Sequence, residues 1–122
     1  MKKLYKKSLL SEAYNSLREF EKTGKVSIVY KVYDNKKLIY IGKGGSRKTK
    51  AHKRLYDHHL SWCSSFKHKF LHLDRIYKGM DVEKAFSDWD SLKWDVYLVD
   101  FDKLTDTENM LIKKYKPIYN EI

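Results

Sequence analysis

Arg54 and His58 are the residues whose types and spacing point most directly to chemistry. They are four positions apart in a segment of helical pattern and therefore project from one helix face. An arginine can hold a phosphate through paired hydrogen bonds and neutralise the charge that develops on it. A histidine one turn away can accept or relay a proton near neutral pH. The simpler interpretation is a solvated basic helix face, and His59 takes the place of His58 if the helix is rotated.

Two tyrosines stand in consecutive strand-like segments. Tyr30 ends Ile28-Val29-Tyr30, and Tyr40 begins Tyr40-Ile41-Gly42-Lys43. A hairpin whose turn has an odd number of residues places Tyr30 directly opposite Tyr40, so that both phenols share one sheet face. An even number of turn residues sends them to opposite faces. The alternative is that both are ordinary strand aromatics.

A glycine-rich loop follows Tyr40. Gly42, Gly44 and Gly45 allow close approach of the backbone. Exposed N–H groups near the cationic side chains of Lys43, Arg47 and Lys48 can cradle a phosphate. The spacing is not that of a P-loop, and the alternative is a simple turn.

Glu108 has two competing interpretations. Thr105-Asp106-Thr107-Glu108 matches a capping box in which Glu108 returns to the N–H of Thr105. A carboxylate at this place can equally hold a divalent cation that keeps several of its waters.

Local patterns along the chain predict the elements that position these residues. Residues 1–24 have helical spacing. Strands are expected near 26–33, 38–42 and 94–100, and helices at 49–63, 66–77, 82–89 and 106–115. The order β-β-α-α-β-α predicts a small α/β fold with a three-stranded antiparallel sheet flanked by helices. We therefore expect a basic N-terminal helical extension over 1–24 and one domain over 25–122.

The charge is strongly asymmetric. The chain of 122 residues has a formal net charge of +10, and residues 1–60 hold 16 Lys and Arg against 5 Asp and Glu. A basic half of this kind suits a polyanion such as nucleic acid. The lone cysteine, Cys63, excludes an internal disulfide and fits a reducing, cytoplasmic compartment. No apolar run approaches the ~20 residues that span a bilayer, so a membrane partner is not expected.

In combination, these residues resemble the GIY-YIG nuclease family over roughly residues 26–122. Ile28-Val29-Tyr30 and Tyr40-Ile41-Gly42-Lys43 resemble the two halves of its signature, with Ile28 in place of the first glycine. Arg54, His58 and Glu108 resemble the family's arginine, its following His or Tyr, and its metal-binding glutamate. Pro117-Ile118-Tyr119-Asn120 resembles the terminal segment that carries its asparagine. The stretch from Tyr40 to Arg54 is longer than usual, which leaves Arg47 as a rival arginine.

The resemblance implies a DNA endonuclease that uses one Mg²⁺, with Mn²⁺ able to substitute, and leaves 5′-phosphate and 3′-hydroxyl ends. Glu108 would hold the metal and Tyr30 would contact the attacking water. A free phenol has a pKa near ~10, so either a nearby cation favours the phenolate or Tyr30 orients the water while His58 takes the proton. Tyr40 would position water or phosphate, Arg54 would clamp the phosphate, and Asn120 would support the site.

Other interpretations of the sequence stay open. The main alternative is a basic nucleic-acid-binding module without catalysis. A short stand-alone domain fits a phage, mobile-element (homing) or restriction-type nuclease better than a multidomain repair protein. Both a monomer and a homodimer are compatible with the sequence, and one site cuts one strand per engagement.

Overall fold

The central element is an antiparallel sheet, seen in a computed structural model that describes residues 2–60 and 64–120. Its strands are β1 (Lys2–Ser8), β2 (Ser27–Asp34), β3 (Lys37–Gly44) and β4 (Lys93–Val99). They lie side by side in the order β1-β4-β2-β3. The three expected strands are therefore present, but the expected three-stranded sheet is wrong because a fourth strand joins it at the N-terminus.

The N-terminal segment is not helical throughout, contrary to the helical spacing of its sequence. Residues 2–8 form β1, which pairs with β4 through Lys3 opposite Tyr97 and Tyr5 opposite Val96. Helix α1 (Leu10–Phe20) follows and places Leu10, Ala13 and Leu17 in the core. The local pattern misleads here because strand pairing across some ninety residues is not visible in helical spacing.

The β2–β3 hairpin has a two-residue turn, Asn35-Lys36, between the paired residues Asp34 and Lys37. Asn35 adopts a positive φ of 56°, a conformation that asparagine tolerates well. A β-bulge then leaves Ile39 without a partner on β2, since Val32 faces Tyr40 and Tyr33 faces Leu38.

This bulge decides where the two tyrosines lie. Tyr30 pairs with Gly42 and Tyr40 pairs with Val32, so the expected direct pairing of the two tyrosines is wrong by two positions. A two-residue turn alone would place Tyr30 and Tyr40 on opposite faces of the sheet. The extra residue at the bulge, Ile39, shifts the side-chain alternation of β3 by one position and returns Tyr40 to the face of Tyr30. The two rings consequently share a face, with centroids 6.3 Å apart.

The remaining helices lie close to their expected positions. They are α2 (His52–His59), α3 (Ser65–His68), α4 (Val82–Asp90) and α5 (Leu104–Tyr115). A π-helical turn, Lys69–Leu73, continues α3, and Gly79 in the left-handed conformation ends the short helical turn that follows. The helix expected to reach Cys63 ends its described part at His59, and Trp62 and Cys63 lie outside the described residues. Among the helices described, none has both the length and the apolar character needed to cross a membrane.

The sheet separates two hydrophobic clusters. The larger joins Tyr30, Val32 and Trp94 on one face to buried residues of α1, α2 and α4. The smaller joins Val29 and Ile41 on the other face to Leu104 and Leu111 of α5. Helices α2 and α5 thus approach β3 from opposite faces, and the candidate site lies between them.

Candidate active site

Gly42 determines where the Tyr30 side chain lies. The two residues are cross-strand partners, and a Cβ atom at position 42 would overlap the end of the Tyr30 phenol ring, including its hydroxyl oxygen. The ring therefore occupies the space that a side chain would otherwise fill. Gly42 was predicted to let a phosphate approach the backbone, but what the structure places against it is the phenol of Tyr30.

Tyr30, His58 and Ser64 form a buried chain of hydrogen bonds. The Tyr30 hydroxyl lies 2.7 Å from Nε2 of His58, and Nδ1 of His58 lies 2.6 Å from Oγ of Ser64. Ser64 also accepts a hydrogen bond from the backbone N–H of Lys67 and thereby caps α3. Tyr30 and His58 have no exposed surface. Burial and the nearby Tyr40 raise the pKa of Tyr30 well above its ordinary value.

The surroundings of His58 favour its neutral form. Burial, with the positive charges of Arg54 and Lys67, lowers the pKa of His58 well below its ordinary value. Its neighbour His59 is half-buried and lies beside the ring of Tyr14, with centroids 6.1 Å apart. The structure therefore brings His58, rather than His59, to Tyr30.

Tyr40 is the more accessible of the two phenols. Its ring stacks on Phe66 with centroids 4.2 Å apart, while part of the side chain stays exposed. Burial raises the pKa of Tyr40, although Arg54 opposes this shift. Tyr40 is thus held in a defined orientation and can still meet a ligand.

Arg54 lies beside both phenol oxygens. Burial disfavours its charge, but the oxygens of Tyr30 and Tyr40 outweigh that effect and raise the pKa of the guanidinium. The side chain also lies 3.8 Å from the carboxylate of Asp57. Gly44 permits this placement, because a Cβ there would come within 3.0 Å of Cβ of Arg54.

Glu108 approaches from α5. This helix begins at Leu104 with Lys103 as its N-cap and without a side-chain capping bond, so the alternative capping box starting at Thr105 is wrong. Thr105 instead accepts a hydrogen bond of 2.8 Å from Nζ of Lys43. Burial raises the pKa of Glu108, while the charges of Lys43 and Arg54 oppose the shift. Glu108 in turn contributes to the raised pKa of both phenols.

Arg47 and Lys48 lie elsewhere on the glycine-rich loop. Arg47 is exposed, forms an ion pair of 3.0 Å with Asp102 and stacks over the ring of Phe101. It lines a separate cavity of about 700 Å³. Lys48 is also exposed, and its carbonyl accepts a hydrogen bond from Lys25. Of the two rival arginines, the structure brings Arg54 to the tyrosines.

A smaller cavity of about 250 Å³ adjoins the site. Its walls include Lys43, Lys50 and Arg54 together with the backbone of Gly44 and Gly45. The mixture of cations and glycine backbone is the kind of lining that accommodates a phosphate group. This cavity is the part of the predicted loop cradle that lies next to the phenols.

Asn120 pairs with the exposed edge of β3. Its side chain accepts a hydrogen bond of 2.8 Å from the N–H of Ile41 and donates one of 2.7 Å to the carbonyl of Ile41. Asn120 thus completes the pairing of the edge strand next to Tyr40. In the free protein its polar atoms are used in this way, so its contribution to the site is to hold β3 in place.

Sequence reasoning missed Ser64 and Glu21. Ser64 left a weak signal, since a serine just before an apolar helical segment is a common N-cap. Glu21 left none: it lies outside the segment that resembles the nuclease family, yet its fully buried carboxylate binds the start of α2.

Metal binding at this site would depend on Glu108. Across residues 2–60 and 64–120 no group of three His, Cys, Asp or Glu side chains is arranged to hold a metal ion. One carboxylate suits Mg²⁺, which keeps several waters and commonly takes further ligands from substrate phosphates. The donor set therefore fits a Mg²⁺ ion that is bound together with the substrate. Comparison with protein-family models, with curated proteins and with solved structures gives no match.

Proposed function

We propose that this chain is a divalent-metal-dependent endonuclease that hydrolyses phosphodiester bonds in DNA and leaves 5′-phosphate and 3′-hydroxyl ends. The observation that carries the proposal is the grouping of five side chains: the Tyr30 and Tyr40 rings lie 6.3 Å apart, His58 is hydrogen-bonded to Tyr30, and Arg54 and Glu108 lie close enough to influence the pKa of both phenols. These residues come from four separate segments, so their meeting is a property of the fold. The combination of a phosphate clamp, a carboxylate and paired phenols suits phosphoryl chemistry.

In this proposal Arg54 and Lys43 hold the scissile phosphate, with the adjoining basic cavity taking a neighbouring one. Glu108 would hold the Mg²⁺ ion, for which Mn²⁺ substitutes. Once bound, the ion supplies Lewis-acid stabilisation of the charge on the phosphate and the leaving oxygen. Tyr40 offers the phenol that reaches the surface and orients the phosphate or the attacking water.

Tyr30 would move the proton. Its raised pKa keeps the phenol protonated at neutral pH, so a free phenolate is not available as a base. The proposal requires the attacking water to reach the buried Tyr30 oxygen; its proton can then pass to that oxygen while the Tyr30 proton moves to Nε2 of His58. This transfer needs His58 neutral, as its lowered pKa dictates. The histidine contacts the reacting centre only through Tyr30.

The complete burial of Tyr30 favours a second candidate, a basic nucleic-acid-binding module without catalysis. In that protein the chain from Tyr30 to Ser64 would serve only to stabilise the core. Binding would be strongly salt-dependent, because phosphate contacts release counterions. Cleavage would be absent in Mg²⁺ and in Mn²⁺.

Supercoiled plasmid and a matched RNA, each incubated with the protein and Mg²⁺, Mn²⁺ or EDTA, separate the two candidates. We expect nicking of DNA with either metal and none in EDTA, with ends that DNA ligase can rejoin. Glu108→Gln should reduce the rate by more than about 100-fold, since metal stabilisation is worth several kcal/mol. Asp106→Asn, an exposed acidic residue on the same helix, serves as the matched control and should cut normally.

Undiminished cutting by Glu108→Gln overturns the site assignment. Folded wild-type protein that binds DNA but cuts nothing with either metal supports the binding module. Cleavage of RNA with DNA left intact contradicts the proposed substrate.

A further inference from the structure

The carboxylate of Glu21 is completely buried and lies against the start of α2. Its Oε2 accepts hydrogen bonds from the N–H groups of Ala51 at 2.8 Å and Val26 at 3.3 Å. Its Oε1 accepts one from the N–H of His52 at 2.7 Å and lies 3.0 Å from Nδ1 of the same residue. A buried carboxylate is unfavourable unless its oxygens are paired, and here both are.

Glu21 supplies the cap that α2 itself lacks. The residue at the N-cap position of α2 is Ala51, whose side chain cannot accept a hydrogen bond. The first N–H groups of a helix need acceptors, and a negative charge there also interacts favourably with the helix dipole. Glu21 provides both from a position thirty residues earlier in the chain. Because its carboxylate occupies this helix end, these N–H groups are not free to bind another anion.

The start of α2 lies next to Arg54, one of the candidate site residues. Arg54 follows His52 by two residues, and His58 lies one turn further on. Gly44 of β3 packs so tightly here that a Cβ would come within 3.0 Å of both the Ala51 carbonyl and Cβ of Arg54. Any movement of the helix start therefore changes how Arg54 faces the phenols.

We infer that Glu21 is a positioning residue of the site, which sets Arg54 and His58 against Tyr30 and Tyr40 by holding the start of α2. This inference rests on the proposed nuclease function for its kinetic consequence, but its structural consequence can be measured without it. It gives the N-terminal segment, through the residue that directly follows α1, a part in the geometry of the site.

The test compares Glu21→Gln with Glu12→Gln. Glu12 is the matched control, because its carboxylate also caps a helix start, by accepting from the Leu9 N–H at 2.9 Å, but on α1, which carries none of the candidate site residues. Both variants should have a lower unfolding temperature. Only Glu21→Gln should lower kcat for DNA cleavage, by at least about tenfold with KM within about twofold, because a misplacement of ~1 Å can cost ~100-fold in rate.

Nitrogen-15 NMR of the His58 imidazole and the Arg54 guanidinium is the second measurement. We expect both signals to shift in Glu21→Gln and to stay in place in Glu12→Gln. Unchanged signals, or wild-type kcat in folded Glu21→Gln, overturn the inference, as does an equal loss of kcat in Glu12→Gln. If the wild type cuts no DNA, the proposed function fails and the NMR comparison alone decides the role of Glu21.

Should Glu21→Gln not fold, Glu21→Asp replaces it. This variant keeps the charge but shortens the side chain by one methylene, so it cannot reach all of its partners at once. A lower kcat at unchanged KM, with shifted signals, supports the inference. Wild-type kcat or unshifted signals overturn it.

Discussion

Helices α2 and α5 both pack against the edge strand β3, but His58 on α2 and Glu108 on α5 differ in how far they are exposed to solvent. On the α2 side, His58 is fully buried and the half-buried Arg54 lies beside both phenols, with Glu21 contacting the start of the helix. On the α5 side, Glu108 is only half-buried and has Lys43 as its cationic neighbour. The contrast indicates that the imidazole of His58 is fixed inside the core, whereas the carboxylate of Glu108 is partly open to solvent.

Replacing each of the two rival arginines separately by alanine should give the largest difference in cleavage rate. Arg54→Ala should lower kcat by about 100-fold, the usual loss when a group that stabilises transition-state charge is removed. Arg47→Ala should change kcat by less than about threefold, because an exposed ion pair is worth little. The measurement is single-turnover cleavage with excess protein. A larger loss in Arg47→Ala would break the assignment of the catalytic arginine to the α2 side.

Adding one methyl group at Gly42 of β3 should have an intermediate effect on the cleavage rate. Gly42→Ala forces the Tyr30 phenol to move, because the new Cβ would overlap it. We expect the free energy of unfolding to fall by ~1–3 kcal/mol, as for overpacked cores, and cleavage to fall by about tenfold. Urea unfolding and cleavage rates measure the two effects.

A double-mutant cycle provides the control for this prediction. In a Tyr30→Leu background the clashing ring is absent, so the same alanine should destabilise the protein much less. An equal loss of stability in both backgrounds would mean that Gly42 matters for another reason.

The pH dependence of stability should depend on His58, the fully buried candidate residue of α2. The pKa of His58 is lower in the folded protein than its ordinary value of 6.5, so the unfolded chain takes up a proton first as the pH falls. The free energy of unfolding should therefore decrease below pH ~6.5, by at most ~1.4 kcal/mol per pH unit for this group. Urea unfolding between pH 7 and 5 should show a weaker decrease in His58→Leu than in the wild type.

The pH dependence of activity should instead depend on Glu108, the half-buried carboxylate of α5. Glu108 must be ionised to hold a cation, and its pKa is raised above the ordinary 4.5. The acidic limb of the cleavage profile should accordingly lie above pH 4.5 and should move with the metal concentration, since metal competes with the proton. If activity at acidic pH is lost together with the folded structure, the acidic limb reports unfolding and not the ionisation of Glu108.

The candidate site is predictable from sequence to the extent that it depends on residue order. Motif spacing and the family resemblance select Tyr30, Tyr40, His58 and Glu108, and they reduce the choice of arginine to Arg54 or Arg47. Sequence spacing cannot choose between Arg54 and Arg47, because Arg47 lies in the glycine-rich loop and Arg54 follows it closely. Their burial distinguishes them: Arg54 is half-buried beside both phenols, whereas Arg47 pairs with Asp102 at the surface.

The sequence by itself determined the positions of β2, β3, β4 and most helices, because period-2 and helical patterns, turn residues and glycines act over short distances. Only the tertiary structure decided that residues 2–8 pair with β4 and that the bulge at Ile39 returns Tyr40 to the face of Tyr30. It also decided that Glu21 caps a helix thirty residues away. These features depend on which segments pack together, and pairing energy between distant segments leaves no local periodicity to read.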